Sequence, residues 1–302
     1  MTGAPRLTVI VAVKGAEANL HAILKNLNTI AHPDVEFVFC FAGPGIPDLK
    51  SRLPLSAKII LAGSDALIPH LWRDGIREAS GESIALTTAN CVPATDWIGR
   101  LKSLDLNASV GIGGTIDNDP EATSANWAIF FLRYSAFAPP KKKADVAEIA
   151  ADNAVYNRAA ILDHNDLLIE GFWEPSFHRC FRAAGQSLEL DPAILVTHFG
   201  TSSPAEFIGH RYQHGRKYGA DRASTQSLPT AILLFLASGL IPVVTLARIV
   251  RRIARHRRYI VPLVRSFPWL IGFVLAWSFG EARGYLDVIF IKVRGRAVKM
   301  AS

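Results

Sequence analysis

Five apolar, strand-like runs alternate with helix-like segments in the first 120 residues, and this alternation most constrains the possible fold. The first run, LTVIVAV at residues 7–13, has the near-continuous apolar character of a strand buried on both faces. Strands are predicted at residues 7–13, 35–41, 57–61, 83–87 and 109–116, and helices at residues 16–27, 67–79 and 96–104. Strands that alternate with helices predict an α/β fold with a mostly parallel, doubly wound sheet.

The loops that follow these strands are the first place to look for a binding site. Open α/β sheets bind ligands outside the carboxyl ends of their strands. We therefore expect functional side chains just after Val13, Phe41, Thr87 and Ile116. The loop after Thr87 is the most informative, because GESIALTTANCVPATDW indicates a strand, a short polar turn at Thr88–Asn90 and a new helix.

The stretch from residue 120 to residue 222 has a less regular pattern. It contains an aromatic segment at 127–137, a strand that turns into a helix at 152–160, and a helix at 175–184 that ends at Gly185. Two short strands are predicted at 187–190 and 193–196, and a basic helix at 204–218. We place the domain boundary after this helix, so that residues 1–222 form the α/β domain and residues 223–302 a helical region.

Charge is distributed unevenly along the chain. From Ala205 to the end there are 16 Lys and Arg against 4 Asp and Glu, which leaves 17 against 22 in residues 1–204. An acidic globular part with a basic, apolar tail favours a membrane surface over nucleic acid as a partner. Three widely spaced cysteines and the absence of an apparent signal peptide fit a reducing cytoplasm.

The tail contains two uncharged runs, residues 228–247 and 266–280, on either side of an arginine-rich segment. If the first run crossed a bilayer from the cytoplasm, the arginines would lie outside, against the positive-inside rule. The interpretation we favour is that residues 228–290 lie along the cytoplasmic leaflet, with arginines on anionic headgroups. A two-span hairpin and a buried hairpin in a soluble oligomer are the alternatives.

Five segments, in the same order, resemble the GT-A inverting glycosyltransferases of family 2. TVIVAVKGAEANL is similar to the family's V-I-P-x-x-N-E-x-x-x-L, with Ala12 and Gly15 at the proline and asparagine and Glu17 one place late. LWRDGIREASGESIAL is similar to N-x-G-x-x-x-A-x-G-E, with Arg73 at the asparagine. The other three segments are NCVPATDWIGRL, GFWEPSFHRCFRAAGQSLELDP and VTHFGTSSPAEFIGHRYQHGRKYG.

This resemblance implies a GT-A, Rossmann-like fold and transfer of a sugar from a nucleotide-diphosphate donor. By family default the donor is a UDP-sugar, and the acceptor is a lipid-linked or membrane-proximal glycan of a cell-envelope polysaccharide pathway. The chain departs from the family at its acids. Phe41 and Ala42 stand at the base-binding aspartate, Thr88-Ala89-Asn90 at the D-x-D, and Trp173-Glu174 at the E-D pair.

The resemblance makes Glu174 the candidate general base of an inverting transfer. It stands at the start of a helix, which favours the ionised carboxylate, beside an aromatic Trp173 that would desolvate it. A plain first-turn helix acid is the alternative interpretation. On the donor side the resemblance implies Ala12, Val13, Lys14, Glu17, Arg73, Thr88, Asn90, Gly114 and Asn153.

The donor diphosphate needs its charge offset by a metal or by cations. Thr88 and Asn90 are poor substitutes for the carboxylates that Mg²⁺ or Mn²⁺ prefers, so dependence on either metal is expected to be weak or absent. Cations that could act instead are Lys14, Arg73 and the helical group Arg211, His214 and Arg216, although this group could equally contact lipid. Weak metal candidates are Asn90, Asp117, Asp119 and His198, each with a structural alternative.

Two functions from different classes follow. The first is an active, membrane-associated glycosyltransferase. The second is a catalytically silent GT-A domain that binds a sugar nucleotide or acts as a scaffold in a polysaccharide assembly complex, and the three missing acids motivate it.

Overall fold

The computed structural model describes residues 6–15, 19–27, 32–43, 53, 57–106 and 108–301, without the side chains of residues 294–301. The chain divides into two compact units. The first comprises Met1–Pro120 and Phe137–Thr201, and the second comprises Glu121–Ala136 and Ser202–Ser302. The predicted boundary after residue 222 therefore differs from the compact units, which assign an internal segment and a longer C-terminal part to the second unit.

The first unit contains a nine-stranded sheet. In chain order its strands are β1 (Leu7–Val13), β2 (Val35–Ala42), β3 (Lys58–Ala62), β4 (Ser83–Thr88), β5 (Cys91–Pro93), β6 (Gly111–Asn118), β7 (Ala144–Val146), β8 (Asn153–Asn157) and β9 (Leu188–His198). Their spatial order is β3-β2-β1-β4-β8-β6-β9-β5, and β7 pairs with β9. Six strands (β1, β2, β3, β4, β6 and β9) run in one direction, and β5, β7 and β8 run against them. The sheet is thus mostly parallel, as predicted.

Six helices in the described part of the first unit connect and cover these strands. They are α1 (Leu20–Leu27), α2 (Ile68–Glu78), α3 (Trp97–Lys102), α5 (Arg158–Leu162), α6 (Asn165–Leu168) and α7 (Glu174–Ala183). The fourth helix in chain order, α4 (Ser124–Tyr134), belongs to the second unit. The core on one face of the sheet packs α2 and α7 against β1, β4 and β8 through residues such as Trp72, Tyr156, Phe177 and Phe181. This burial of large apolar side chains stabilises the edge at which the site lies.

The second unit is helical. Besides α4 it contains α8 (Pro204–Ser224), α9 (Leu228–Ser238), α10 (Ile241–Ile253), a 3₁₀ turn at Arg257–Tyr259 and α11 (Ile260–Ala301). Helix α8 begins at a capping box in which Ser203 and Glu206 satisfy each other's backbone amides. Glycines bring α8 and α11 together, because a Cβ at Gly215, Gly219, Gly280 or Gly284 would come closer than 3.0 Å to the partner helix.

The structure differs from the predicted elements at two informative points. The strands predicted at 187–190 and 193–196 are the two halves of β9, whose register against β6 shifts between Gly113 and Thr115. The uncharged run 228–247 is two helices, α9 and α10, bent by 53° at their junction. Serine, glycine and a following proline at this junction end α9 before the hydrophobic pattern itself ends.

Among the described residues, one helix, within Arg257–Val293, is long and apolar enough to cross a membrane, and the bent pair α9 and α10 passes the same test when it is counted as one span. This assessment rests on helix length and composition.

Candidate functional site

The candidate site lies at the edge of the sheet where the parallel strands end. β1 and β4 are adjacent, with Ala12 paired to Thr88, so their carboxyl ends meet. β8 runs antiparallel to β4 and pairs Asn153 with Thr87, so β8 begins at the edge where β4 ends. Residues that precede β8 in the chain are therefore brought to the same edge as the turn after β4.

The turn Thr88–Asn90 is fixed by backbone hydrogen bonds on both sides. Ala89 N donates to Ala12 O at 2.8 Å, and Phe199 N donates to Asn90 O at 2.7 Å. The Thr201 hydroxyl lies 3.0 Å from Gly15 O and 3.4 Å from the Asn90 side-chain oxygen. The turn, the end of β1 and the segment after β9 thus form one connected structure.

A carboxylate stands beside the turn although the turn itself has none. Thr88 Oγ1 donates to Asp152 Oδ1 at 3.3 Å, and both residues are buried. Asp152 comes from the start of β8, not from β4. An acid from another part of the chain thus lies beside the turn.

Glu174 is the second carboxylate at this edge. It is the first residue of α7, is partly exposed, and its Oε1 accepts from Ala151 N at 2.9 Å. The hydrogen bond joins the candidate base to the residue next to Asp152. Trp173 precedes it, with its Nε1 donating to Glu170 O at 2.9 Å and its indole 41% exposed.

A buried aromatic pair lies next to the two acids. The Tyr156 hydroxyl and His178 Nε2 are 3.0 Å apart. Burial raises the pKa of Tyr156 well above its usual value, and the charges of Glu174 and Asp152 raise it further. Burial also lowers the pKa of His178 to about 4, so its ring is neutral at physiological pH.

Asn153 and Gly114 both contribute to packing against β9. The Asn153 side chain is fully buried, accepts from Trp97 Nε1 at 2.8 Å, and donates to Thr115 O at 2.8 Å and to Ile194 O at 3.2 Å. A Cβ at Gly114 would overlap Ile194 and the Asn153 amide. The close approach that Gly114 permits in the structure is to β9, and its place on the donor side stays a prediction.

The two cations predicted on the donor side already have partners. Lys14 Nζ donates to Ala66 O at 2.6 Å, and Arg73 Nε pairs with Asp74 Oδ1 at 2.8 Å while its Nη1 donates to Ile169 O at 3.2 Å. Ala12 and Val13 are buried strand residues whose contribution is their backbone. Glu17 lies outside the described residues.

The weak metal candidates are paired within the fold. The His198 Nδ1 atom is 3.1 Å from Asn118 Oδ1, Asp117 Oδ1 accepts from Asn118 N at 2.9 Å, and Asp119 N donates to His198 O at 3.0 Å. Within the part of the chain that the structure describes, no group of three or more His, Cys, Asp or Glu could hold a metal ion. The residues present therefore do not fit an Mg²⁺ or Mn²⁺ site held by the protein alone.

The predicted phosphate-contacting group lies on α8, in the second unit. Arg216 forms an ion pair with Asp287, with Nη2 to Oδ2 at 2.7 Å. The Arg211 guanidinium lies 4.2 Å from the centre of the Trp277 ring, and burial lowers its pKa to about 10. Burial and the neighbouring His210, Arg211 and Lys217 lower the pKa of His214. Internal contacts thus engage all three side chains, since the His214 ring stacks on that of His210 with 6.2 Å between the ring centres.

Sequence reasoning considered the polar pair Asp152-Asn153 on the donor side but carried only Asn153 forward, and it did not find Thr201. Asp152 is separated from Thr88 by 64 positions, and Thr201 from Gly15 by 186. The available signal was the polar pair Asp152-Asn153 at a strand start. Alternation along β8 would have placed the two side chains on opposite faces, and only one of them faces Thr88.

Comparison with solved structures finds the same fold. The mannosyltransferase PcManGT from Pyrobaculum calidifontis, in complex with GDP-Man and Mn²⁺, matches with a TM-score of 0.52 at 15% identity over 92% of this chain and 87% of that chain. S. aureus TarS 1–349, in complex with UDP-GlcNAc, matches with a TM-score of 0.48 at 12% identity over 91% and 90%. The first match shows a Rossmann-like glycosyltransferase fold. No protein-family model matches the sequence, and no curated protein matches it either.

Proposed function

We propose that this chain is a glycosyltransferase that moves a sugar from a nucleotide-diphosphate donor to a glycan acceptor. The observation that carries the proposal is the pair of carboxylates at the carboxyl-terminal edge of the sheet: Asp152 accepts from Thr88, and Glu174 accepts from the amide of the adjacent Ala151. In such folds this edge is where ligands bind. The similarity in fold to a mannosyltransferase that binds GDP-Man supports the reaction class.

The mechanism we propose is inverting, as in family 2. Glu174 accepts the proton of an acceptor hydroxyl, whose oxygen attacks the anomeric carbon from the face opposite the diphosphate. The bond to the diphosphate oxygen breaks, and the nucleoside diphosphate leaves with its electron pair. A positioned carboxylate base typically contributes about 10²–10⁴-fold to the rate. Glu174 suits this role because it is partly exposed and fixed by the Ala151 amide.

Asp152 is proposed to orient the donor or the turn that holds it. Its carboxylate accepts from the Thr88 hydroxyl and is largely shielded from water, so its charge acts in a medium of low dielectric constant. A buried acceptor of this kind can hold a sugar hydroxyl, or hold Thr88 in the rotamer that contacts the donor. Either role makes Asp152 part of donor recognition.

The donor diphosphate is proposed to be held by hydrogen bonds and cations with little help from a metal. No step of the mechanism is assigned to Mg²⁺ or Mn²⁺, because the side chains present do not make a metal site by themselves. Lys14 and Arg73 are the cations we propose for this role. In binding the donor, each side chain would exchange its backbone carbonyl partner for a phosphate oxygen. The acceptor we propose is a lipid-linked or membrane-proximal glycan.

Titration of the purified full-length chain with UDP and GDP, each with and without Mn²⁺, tests the proposal by calorimetry. We expect one nucleotide to bind, and Mn²⁺ to change its Kd by less than about threefold, because the protein provides few hard ligands for the ion. Absence of binding by both nucleotides in both conditions would contradict a transferase. A Kd that falls by about tenfold or more with Mn²⁺ would contradict the metal-poor site.

A catalytically silent domain is the second candidate. It is favoured by the internal hydrogen bonds of the turn, since Thr88 contacts Asp152 and Asn90 contacts Thr201 instead of facing an open site. Such a domain would bind a sugar nucleotide without turnover. Hydrolysis or transfer of the bound donor, abolished by Glu174→Gln, would exclude this second function.

A further inference from the structure

The arginine-rich part of the second unit has no acidic residue nearby in sequence. Residues 223–280 contain no aspartate or glutamate, and their arginines are Arg248, Arg251, Arg252, Arg255, Arg257, Arg258 and Arg265. All of these arginines are exposed. A dense group of exposed guanidinium groups without neighbouring carboxylates in the same segment favours an anionic partner.

The turn that carries these arginines is anchored to folded structure. Tyr259, which ends the 3₁₀ turn, is 1% exposed. Its ring centre lies 6.0 Å from that of Trp127, 6.3 Å from that of Phe130 and 6.1 Å from that of Phe131, all on α4. The basic turn is therefore a shaped surface with a fixed position in the second unit.

The circumference of helix α10 has three sectors, which are packed, basic and exposed apolar. Ile249 and Ile253 are buried and pack inward. Arg248, Arg251 and Arg252 form a basic sector, while Val243 and Val250, seven residues apart and so on one side of the helix, are exposed at 66% and 36%. A packed face, an exposed apolar face and a basic face on one helix are typical of a helix that lies in a membrane interface.

Neighbouring helices extend the exposed apolar face. On α9, Leu233 and Leu236 are each more than 60% exposed, and so is Leu240, which immediately precedes α10. On the first turns of α11, Val261 and Val264 are 57% and 68% exposed. Exposed apolar surface of this kind often marks an interaction site, so the leucines and valines exposed on these successive helices indicate an apolar partner.

We propose that α9, α10 and the first turns of α11 form a monotopic docking surface for an anionic lipid bilayer. The leucines and valines enter one leaflet, and the arginines bind lipid phosphates at its surface. The exposed apolar side chains beside the arginines are aliphatic and cannot stack on bases, so a nucleic acid is a poorer fit. This inference does not depend on the proposed transfer reaction.

The helix lengths favour insertion into one leaflet over crossing. α9 and α10 have 11 and 13 residues, and so reach only about 17 and 20 Å, against a hydrocarbon core of about 30 Å. α11 is long enough, but the polar helix α8 packs along it at Gly280 and Gly284. The exposed Arg216, Lys217 and Arg222 of α8 could not be placed in hydrocarbon without large cost.

Flotation of the full-length chain with vesicles tests the surface. We expect binding to phosphatidylcholine vesicles that contain phosphatidylglycerol, much weaker binding to phosphatidylcholine alone, and a loss of binding at high salt. The variant R248Q/R251Q/R255Q should weaken anionic binding by at least about tenfold, since each surface arginine contributes. The matched control R77Q/R179Q/R182Q removes the same charge from the first unit and should bind like the wild type.

Several outcomes would overturn the proposal. They are equal binding to both vesicle types, wild-type binding by R248Q/R251Q/R255Q, an equal loss in the control variant, or tight binding to a short single-stranded RNA without vesicle binding. The variant Leu233→Ser/Leu236→Ser should also lose affinity, because it removes exposed side chains that insert. Unchanged binding by this variant would contradict insertion.

Topology is tested in cells with His256→Cys at the basic turn. A membrane-impermeant maleimide should label this cysteine only after the cells are permeabilised. Labelling in intact cells would show that the arginine turn crosses the bilayer and would overturn the monotopic arrangement. Nucleotide titration of the same preparations keeps the two proposals separate, since loss of vesicle binding predicts no change in nucleotide affinity.

Discussion

At the scale of single residues, Asp152 changes the interpretation of the turn after β4. The sequence has threonine and asparagine where the family's D-x-D has acids, which by itself indicates a damaged site. In the fold, Asp152 reaches Thr88 from the neighbouring strand β8. A carboxylate is therefore present beside the turn, although it comes from a different part of the chain.

Glu174→Gln tests the proposed base. The amide keeps the size of the side chain and an oxygen for the Ala151 amide, but it cannot accept the acceptor's proton. We expect kcat to fall by about 10²-fold or more with nucleotide affinity unchanged, measured by single-turnover transfer and calorimetry. Glu170→Gln, at an exposed position of the same loop, is the control, and an equal loss there would point to a disturbed loop.

Asp152→Asn tests donor recognition. Removing the charge while keeping a partner for Thr88 should raise the Kd for the nucleotide sugar by about tenfold, as expected for a lost charge-assisted hydrogen bond. Calorimetry with the nucleotide sugar and with the free nucleotide separates contacts to the sugar from contacts to the nucleotide. A larger effect on the sugar donor than on the free nucleotide assigns Asp152 to the sugar; unchanged affinity for both would remove it from the site.

The lowered pKa of His178 predicts that the free energy of unfolding depends on pH. Its folded pKa of about 4 lies below the unfolded value of about 6.5, so between these values the unfolded chain binds a proton that the folded chain does not. Stability should fall as pH decreases through this window, by up to about 3 kcal/mol from this group. Urea unfolding at several pH values measures the free energy of unfolding. In the His178→Gln variant this free energy should change less with pH. An equally steep curve in the variant would assign the effect to other groups.

At the scale of elements, α8 and α11 pair through two G-x-x-x-G patterns, Gly215–Gly219 and Gly280–Gly284. Small residues four positions apart lie on one side of a helix and let two backbones approach closely. Next to this crossing, the buried Glu281 carboxylate accepts from Trp277 Nε1 at 2.8 Å and from the Tyr285 hydroxyl at 2.7 Å. Close packing and a satisfied buried acid make this pair the centre of the second unit.

Two glycine substitutions on α11 should have opposite effects. Gly280→Ala places a methyl group against the backbone of Tyr212 and should destabilise the second unit by about 1–3 kcal/mol. Gly272→Ala meets no atom within 4 Å and should stabilise the helix by up to about 1 kcal/mol through its helix propensity. Thermal unfolding followed by circular dichroism measures both. Destabilisation of similar size in both variants would contradict the close crossing.

The predicted bounds of strands and helices agree with the observed ones where the local sequence pattern is clear. β1 was predicted at its observed bounds, because a buried strand has a clear apolar run. Helix α7 and its end at Gly185, which has a φ of 76°, were predicted to within a residue for the same local reasons. The break between α9 and α10 was missed because hydropathy continues through it while the backbone bends.

At the scale of the whole molecule, α4 is an insertion between β6 and β7 that belongs to the second unit. Its aromatic face packs around Tyr259, which lies more than 120 positions later in the chain. Sequence order alone would assign these aromatic residues to the α/β domain. The boundary predicted after residue 222 would therefore separate α4 from the residues that cover it.

Truncation tests this organisation. A chain that ends at residue 222 should be poorly soluble, because Trp127, Phe130 and Phe131 would lose their cover. A chain that ends at residue 201, with residues 121–136 replaced by a short Gly/Ser segment, should be soluble and bind nucleotide like the full chain. Size-exclusion chromatography and calorimetry compare the two. A soluble, monomeric chain ending at residue 222 would contradict the division.

The sequence by itself determined the strand and helix alternation, the class of fold, the loops in which to look for a site and the basic, apolar tail. These features depend on local periodicity and composition, which a single chain displays directly. Only the tertiary structure decided that Asp152 stands beside Thr88, that Asn153 and Gly114 serve packing, and that α4 joins the C-terminal helices. Those arrangements depend on strand order and register between distant segments, and such long-range pairing leaves no periodic signal in the sequence.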